Sequence, residues 1–503
     1  MIFALLCAFL RQYFGICVVA VLVLGALPAL RASEAPVGGD LPAAYRPLHK
    51  IRLPGVEEDF WGGTLRVFEN RQTRVGRTID LNVIVIPALE QADKREPFFW
   101  LDGGPGVAAT QTAALYATDL REYRRHRDVV LVDQRGTGKS NPLGAAPDPH
   151  PQRFVGEMYP VDYVRNLRRT LEQRADLTQY TTPIAMDDLD DVRAWLGYDQ
   201  IDLCGLSYGT RAAMVYLGRH PQHVHCLVLM GVAPTFMKIP LYFSRDANRA
   251  MNLLLDECEG DPTAAKAFPV IRREWSDLLA RLGHRAARVR YRSRDGSVDE
   301  MVSISRDVFA ENIRFLLYDP AAARRIPLII HEAARGNFDP FLAAAIPADR
   351  NAPDVVADGL YLSITASEDT SRIDPAEARR AAEGSPFGTY RVDQQMRAAS
   401  LWPHATLPPG YDQPVESNVP VLILTGFMDP VTPPSWGDEV ARHFSRCRHV
   451  IIPHSGHIPF SLSHPEILDR LILDFLDSAD PAKVDPSGLA RMLPPPFATA
   501  VAN

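Results

Sequence analysis

The chain has 503 residues, 46% of them hydrophobic and 23% charged, which is enough apolar material for a sizeable core and too much for a disordered protein. Lys and Arg number 54 against 61 Asp and Glu, a formal charge of −7, and this acidic balance argues against a general binder of nucleic acid or anionic membrane. The length fits one α/β core with a large insertion as well as it fits two domains.

Met1 to Leu10 is apolar, Arg11 interrupts, and Tyr13 to Leu30 is an uncharged apolar run. Residues 1–32 therefore read as a signal peptide or N-terminal anchor, and the protein as exported, periplasmic or secreted. A cleaved signal is favoured over a retained anchor, which would be the one route to membrane attachment. Neither Cys7 nor Cys17 follows a lipoprotein-type box. The other cysteines, Cys204, Cys226, Cys258 and Cys447, lack the spacing of a zinc site, so no metal is expected. Cys204 and Cys226 fall in apolar strand-like runs and read as buried free thiols.

Strand signals begin at Thr64 to Phe68, continue through the alternating Ile79 to Ile86, and reach Pro97 to Leu101 before a glycine cluster. This predicts the antiparallel start of a mixed sheet. Short apolar runs follow at Asp128 to Val132, Ile201 to Cys204 and Cys226 to Met230, separated by helical patterns at Val161 to Gln173 and Ala185 to Leu196. Such alternation predicts parallel strands joined by right-handed crossovers, with reactive loops at the strand C-termini. After Pro234 it stops. Helical periodicity then dominates, at Ala247 to Glu257, Val270 to Leu282, Arg306 to Leu317 and Ala321 to Arg335, and reads as an inserted lid. Strands resume at Val419 to Leu424 and His449 to Ile452, before a closing amphipathic helix at Pro465 to Leu476. The division expected is core in 45–234 and 416–480, helical lid in 235–415, and a surface-coil tail in 481–503.

The strand ending at Cys204 runs into Gly205-Leu206-Ser207-Tyr208-Gly209 and then a helix, the strand-turn-helix setting of a G-x-S-x-G nucleophile elbow. A serine hydroxyl is a weak nucleophile until a base takes its proton, and the base needs a carboxylate to orient it. Asp429, just past the strand Val419 to Leu424, is the acid candidate. His457, past the next strand and behind a glycine, is the base candidate, with His454 as its rival. Asp102-Gly103-Gly104-Pro105-Gly106 follows a strand end where this fold supplies amides to an oxyanion. The N–H of Tyr208 and that of Gly104, or its neighbour Gly103, are the expected donors.

The glycine loop, Asp133-Gln134-Arg135-Gly136-Thr137-Gly138-Lys139-Ser140 and Gly205 to Thr210 together resemble the proline iminopeptidase and tripeptidyl aminopeptidase family of α/β-hydrolase serine peptidases. Tyr180-Thr181-Thr182-Pro183, Asp188 to Arg193 and Gly426 to Pro434 extend the resemblance from about Phe98 to His457. It implies an α/β-hydrolase fold and a cofactor-free reaction at the free amino end of short peptides, through an acyl-enzyme. Asp102 stands where proline iminopeptidases usually carry histidine, which departs from a strict proline preference. Ala366 and Ala399 stand where relatives have lid cysteines, and Ala264 where a partner for Cys258 would be. Glu368 and Asp369, in a stretch resembling C-x-E-D, are the candidates for holding a substrate ammonium. Asp133 and Arg135 are expected to form an internal ion pair. The alternative function is an esterase or amidase of the same fold acting on a small metabolite, and a further one is a non-catalytic binding protein.

Overall fold

The computed structural model describes residues 45–293 and 295–500; the segment read as a signal or anchor lies outside them. Eleven strands occur among these residues: β1 (His49–Arg52), β2 (Asp59–Phe68), β3 (Thr78–Ile86), β4 (Phe98–Leu101), β5 (Val129–Val132), β6 (Ile201–Leu206), β7 (Val224–Met230), β8 (Ala287–Arg292), β9 (Asp299–Ile304), β10 (Val421–Gly426) and β11 (Cys447–Ile452). Nine form one sheet in the order β1-β2-β3-β5-β4-β6-β7-β10-β11. The β1, β2, β3 and β5 neighbours pair antiparallel, and from β5 through β11 every pairing is parallel.

Burial follows this topology. In β2 and β3 buried and solvated positions alternate over much of the strand, whereas every residue of β4, β5 and β10 is buried. Helices cover the central strands on both faces, so those strands have no polar side to present and read as continuous apolar runs. All reactive loops predicted from the sequence leave the C-terminal ends of β4, β6, β10 and β11, the edge where open α/β sheets gather their ligands.

Between β7 and β10 the chain builds a mainly helical layer, with helices Phe243–Gly260, Ile271–His284, Arg306–Leu316, Asp358–Glu368 and Tyr390–Ser400. Two features differ from the helical reading. The pattern Ala287, Val289, Tyr291 alternates with arginines and pairs as β8 with β9, its apolar face packed on the helices. The pattern over Ala321 to Arg335 breaks into Pro320–Ala323 and Ile326–Ala334, because Pro327 has no N–H to continue a helix and sits instead in the first turn of a new one. The tail also departs from surface coil: Val484, Leu489 and Met492 are buried in the apolar cluster beneath the sheet. Cys204 and Cys226 are buried, and among the described residues Cys204, Cys226, Cys258 and Cys447 are free thiols.

The inserted layer is tied to the sheet layer by buried polar contacts as well as by apolar ones. Its apolar cluster includes Leu254, Trp275 and Phe309 and takes in Met428 and Ile458 from the loops after β10 and β11. Arg211, fully buried on the helix after β6, donates from Nη1 to both oxygens of Asp369 at 2.9 and 3.0 Å, and from Nη2 to the carbonyls of Pro234 and Met237. Glu368 accepts the Thr182 N–H at 2.6 Å and the Thr182 hydroxyl at 2.9 Å, so its carboxylate lies at the N-terminus of helix Thr182–Leu196. The expected Asp133–Arg135 pair does not form. Arg135 instead clamps Asp188 at 2.6 and 2.9 Å, while Asp133 accepts from Asn82, Thr110 and the Lys139 N–H, so the two side chains brace different segments.

Removing one partner of a buried ion pair leaves the other charged and desolvated. Asp369→Ala should therefore lower stability by about 3–5 kcal/mol, measured as a fall in the urea midpoint at unchanged slope. A loss under about 1 kcal/mol would show that Arg211 is satisfied by the carbonyls alone.

Candidate active site

The elbow is built by close backbone approach. A Cβ on Gly205 would lie 2.3 Å from the Gly209 carbonyl oxygen, and one on Gly209 would lie 2.0 Å from the Leu101 carbonyl oxygen. Only glycine fits at both places, which explains the spacing around Ser207. Ser207 itself is held at φ 56° and ψ −120°, a conformation that L side chains rarely adopt, between the end of β6 and helix Tyr208–Arg219. Its N–H donates to the Met230 carbonyl at 2.8 Å, which fixes the turn against β7.

Asp429 and His457 are brought together from two further strand ends. The His457 Nδ1 lies 2.7 Å from Asp429 Oδ2, and both side chains are buried. The second carboxylate oxygen accepts the backbone N–H groups of Val431 and Thr432, each at 2.8 Å. Burial pushes the Asp429 carboxyl up, but the imidazole beside it and these N–H donors outweigh that and hold it below its ordinary value. The aspartate is thus kept ionised, as a partner that orients Nδ1 must be. The imidazole lies against the end of β7, the strand next to the one that carries the serine: a Cβ on Gly231, the residue after Met230, would sit 2.9 Å from His457 Cε1. His454, the rival base, points elsewhere, with Nδ1 3.0 Å from Glu257 Oε1 on helix Phe243–Gly260.

Gly103, Gly104, Ser207, Tyr208, Thr432 and His457 all line one cavity of about 1080 Å³ between the sheet edge and the inserted helices. The Gly103 N–H donates to its neighbour Asp102 Oδ1 at 2.7 Å, and among the described residues the Gly104 N–H has no acceptor. Tyr208 opens its helix, where an amide N–H has no intrahelical partner. The loop amide of Gly104 and the helix amide of Tyr208 thus remain the candidates for an oxyanion donor, while the Gly103 N–H is bonded to Asp102.

Glu368 and Asp369 are not brought to this cavity. Both are fully buried, Glu368 among Thr182, Tyr208 and Tyr411 and Asp369 against Arg211 and the Ile239 N–H, and neither is part of the cavity wall. Their placement corrects the expectation that they meet a substrate ammonium: a carboxylate paired to a buried arginine, or enclosed by hydrogen-bond donors, has no face left for a ligand. The carboxylates that do line the wall include Asp102, Glu157, Glu311, Asp354 and Asp358.

Thr432 was not singled out from the sequence. Its hydroxyl donates to Asp429 Oδ2 at 2.8 Å and lies 3.0 Å from His457 Nδ1, so it touches both members of the acid–imidazole pair. The signal was present as Asp429-Pro430-Val431-Thr432: an aspartate accepting backbone N–H groups two and three residues on forms a local turn that places a following hydroxyl beside its carboxylate. Asp358, Tyr163 and Tyr318 reach the cavity from distant segments, and no local pattern could have grouped them.

Residues 97–463 match the sequence model of the α/β hydrolase fold family. The tripeptidyl aminopeptidase of Streptomyces lividans is 26% identical over 416 residues, covering 76% of this chain and 74% of that one. Serine protease Hip1 of Mycobacterium tuberculosis is 25% identical over 380 residues, covering 67% of this chain and 71% of that one. A probable proline iminopeptidase of Streptomyces coelicolor is 33% identical over 138 residues, which span 27% of this chain and only a third of that protein, 33% of its length. The family match takes in β4 with its glycine loop, the elbow, the acid and the base; the chain belongs to the α/β-hydrolase fold family.

Proposed function

We propose that this protein is an exported serine peptidase that hydrolyses amide bonds near the free amino end of short peptides, through an acyl-enzyme. One observation carries the choice of a free amine: the wall of the cavity that Ser207 also lines holds carboxylates bonded only to neutral groups, Asp102 to the Trp100 and Gly103 N–H groups and Asp358 to a tyrosine. Glu311 is paired with Arg314 at 2.7 Å and Arg391 at 3.2 Å, Asp354 with Arg153, and Glu157 with Arg397. Asp358 takes its hydrogen bond from the Tyr163 hydroxyl. Arg153 and Arg391 act on Asp358 at longer range but neither forms an ion pair with it, and an anion bonded only to a neutral group favours a cationic ligand such as the α-ammonium of a peptide.

In the reaction, Ser207 Oγ attacks the scissile carbonyl while His457 takes its proton, and Asp429 holds the imidazole in the tautomer that presents Nε2. The Gly104 and Tyr208 amides stabilise the tetrahedral oxyanion, each such donor contributing about 3 kcal/mol of transition-state stabilisation. His457 returns the proton to the leaving amine, and water then cleaves the ester by the same steps in reverse order of groups. A cavity of about 1080 Å³ admits a peptide of a few residues, and the helical cover keeps folded chains out. The tripeptidyl aminopeptidase relative supports this substrate class, and the apolar segment Tyr13 to Leu30 supports export.

Purified protein should release the fluorophore from tripeptidyl or aminoacyl amides with a free amino end, and Ser207→Ala should abolish this. Equal turnover of amino-blocked analogues would remove the exopeptidase reading while leaving the hydrolase intact.

Asp358 adds a pH signature. Burial, with Asp354 adding to it, raises its carboxyl to about 6 against the pull of the Tyr163 hydroxyl, Arg153 and Arg391. A carboxyl so raised is neutral below that pH and charged above it, so affinity for an ammonium should rise as pH passes upward through about 6. Measured on Ser207→Ala by calorimetry, the Kd of a free-amine tripeptide amide should weaken up to roughly tenfold between pH 7 and pH 5. Asp358→Asn should weaken binding at pH 7 by a similar factor and flatten the profile. An unchanged profile in that variant would place the ammonium elsewhere.

A further inference from the structure

Hydrogen bonding to Asp429 and Thr432 restrains His457 at one nitrogen only, and a ring held at one edge can still tilt. Gly231, after β7, packs against one edge of the ring, and the inserted layer supplies the aromatic contact to it. The Tyr318 ring meets the imidazole at a centroid distance of 5.0 Å and an interplanar angle of 75°, an edge-to-face contact that sets the plane of the imidazole. The chain on both sides of His457 is pinned by the same segment. The Ile458 N–H donates to the Tyr318 carbonyl at 2.9 Å, and a Cβ on Gly456 would lie 2.5 Å from the carbonyl oxygens of both Leu317 and Tyr318.

Tyr318 is itself fixed. Arg314, one turn earlier on helix Arg306–Leu316, donates from Nη1 to the Tyr318 hydroxyl at 3.3 Å and lies over its ring, 5.5 Å from the centroid. That guanidinium is fully buried and clamped by Glu311 at 2.9 and 2.7 Å. The hydroxyl end is thus tied into the lid, and the ring projects from it onto the catalytic base.

From this geometry we propose that Tyr318, supplied by the lid, is a positioning residue for His457: its ring holds the imidazole in the plane from which Nε2 serves Ser207, so the triad is incomplete without the insertion. The proposal rests on the Ser207–His457–Asp429 reading but not on the choice of substrate. Tyr318 also lines the cavity, and a substrate-binding role must be told apart from a positioning one. A small organophosphate does this, because diisopropyl fluorophosphate reacts at the serine with the help of the histidine and does not fill the cavity.

The test compares the rate of Ser207 labelling by diisopropyl fluorophosphate, together with kcat and KM on a free-amine peptide amide, in the wild type, Tyr318→Leu and Tyr318→Phe. The expected result is a labelling rate and a kcat both lowered about tenfold or more in Tyr318→Leu. KM should stay within about threefold, and Tyr318→Phe, which keeps the ring, should restore most of the rate. Should Tyr318→Leu not yield folded protein, Tyr318→Met carries the same comparison. Labelling of the ring-less variant at the wild-type rate, with only KM raised, would reduce Tyr318 to a wall of the cavity and overturn the proposal. Equal losses in the Phe and Leu variants would overturn it too, by assigning the effect to the hydroxyl and Arg314. A wild type that does not label at all would instead remove the triad on which the proposal stands.

Discussion

The site depends on backbone segments approaching more closely than side chains allow. Leu101 at the end of β4, Gly205 at the end of β6 and Gly209 in the following helix meet at distances where any Cβ would overlap a carbonyl oxygen. That compression lifts Ser207 into its positive-φ turn at the strand ends, on the wall of the cavity that His457, after β11, also lines. The strain is tolerable because neighbouring elements fix it: the Ser207 N–H is tied to β7, and the helix begins at once. The reactive geometry is therefore a property of the sheet edge as a whole, and the exposed hydroxyl is one consequence of how four parallel strands end together.

The inserted layer is part of the same construction. Its apolar cluster reaches Met428 and Ile458, its Asp369 neutralises the buried Arg211, and its Tyr318 touches the base. Buried charges paired across two layers are poor sources of net stability but fix one relative placement, since any shift leaves a charge desolvated. Lifting this layer would break the Tyr318 contact with His457 and the Arg211–Asp369 pair together.

Much of this was legible from local pattern. The sheet strands follow from apolar runs and alternation, and the elbow, acid and base follow from residues a few positions beyond predicted strand ends, where fold chemistry leaves few choices. What was not legible depends on distance in space. The β8–β9 hairpin was hidden because three apolar positions alternating with arginine gave too short a run to stand out among helices, and the break at Pro327 was overridden by the helical periodicity on either side. Thr432 could have been found from the turn that follows Asp429; Tyr318 and Asp358 could not, because nothing adjacent to them in the chain marks the cavity they enter.

Glu368 and Asp369 compared with Asp358 show why charge in a sequence does not name a binding site. All three are carboxylates on or at the end of one lid helix, and as letters they are equivalent. The helix turns Glu368 and Asp369 toward Arg211 and the Thr182 amide, where their charge is matched by groups of the protein and gives the lid its seat. Asp358, three turns earlier, lines the cavity with a tyrosine as its hydrogen-bond partner and no ion pair of its own. The distinction between a structural anion and a recognising one lies in whether the fold has already supplied the counter-charge, and only the packed chain decides that.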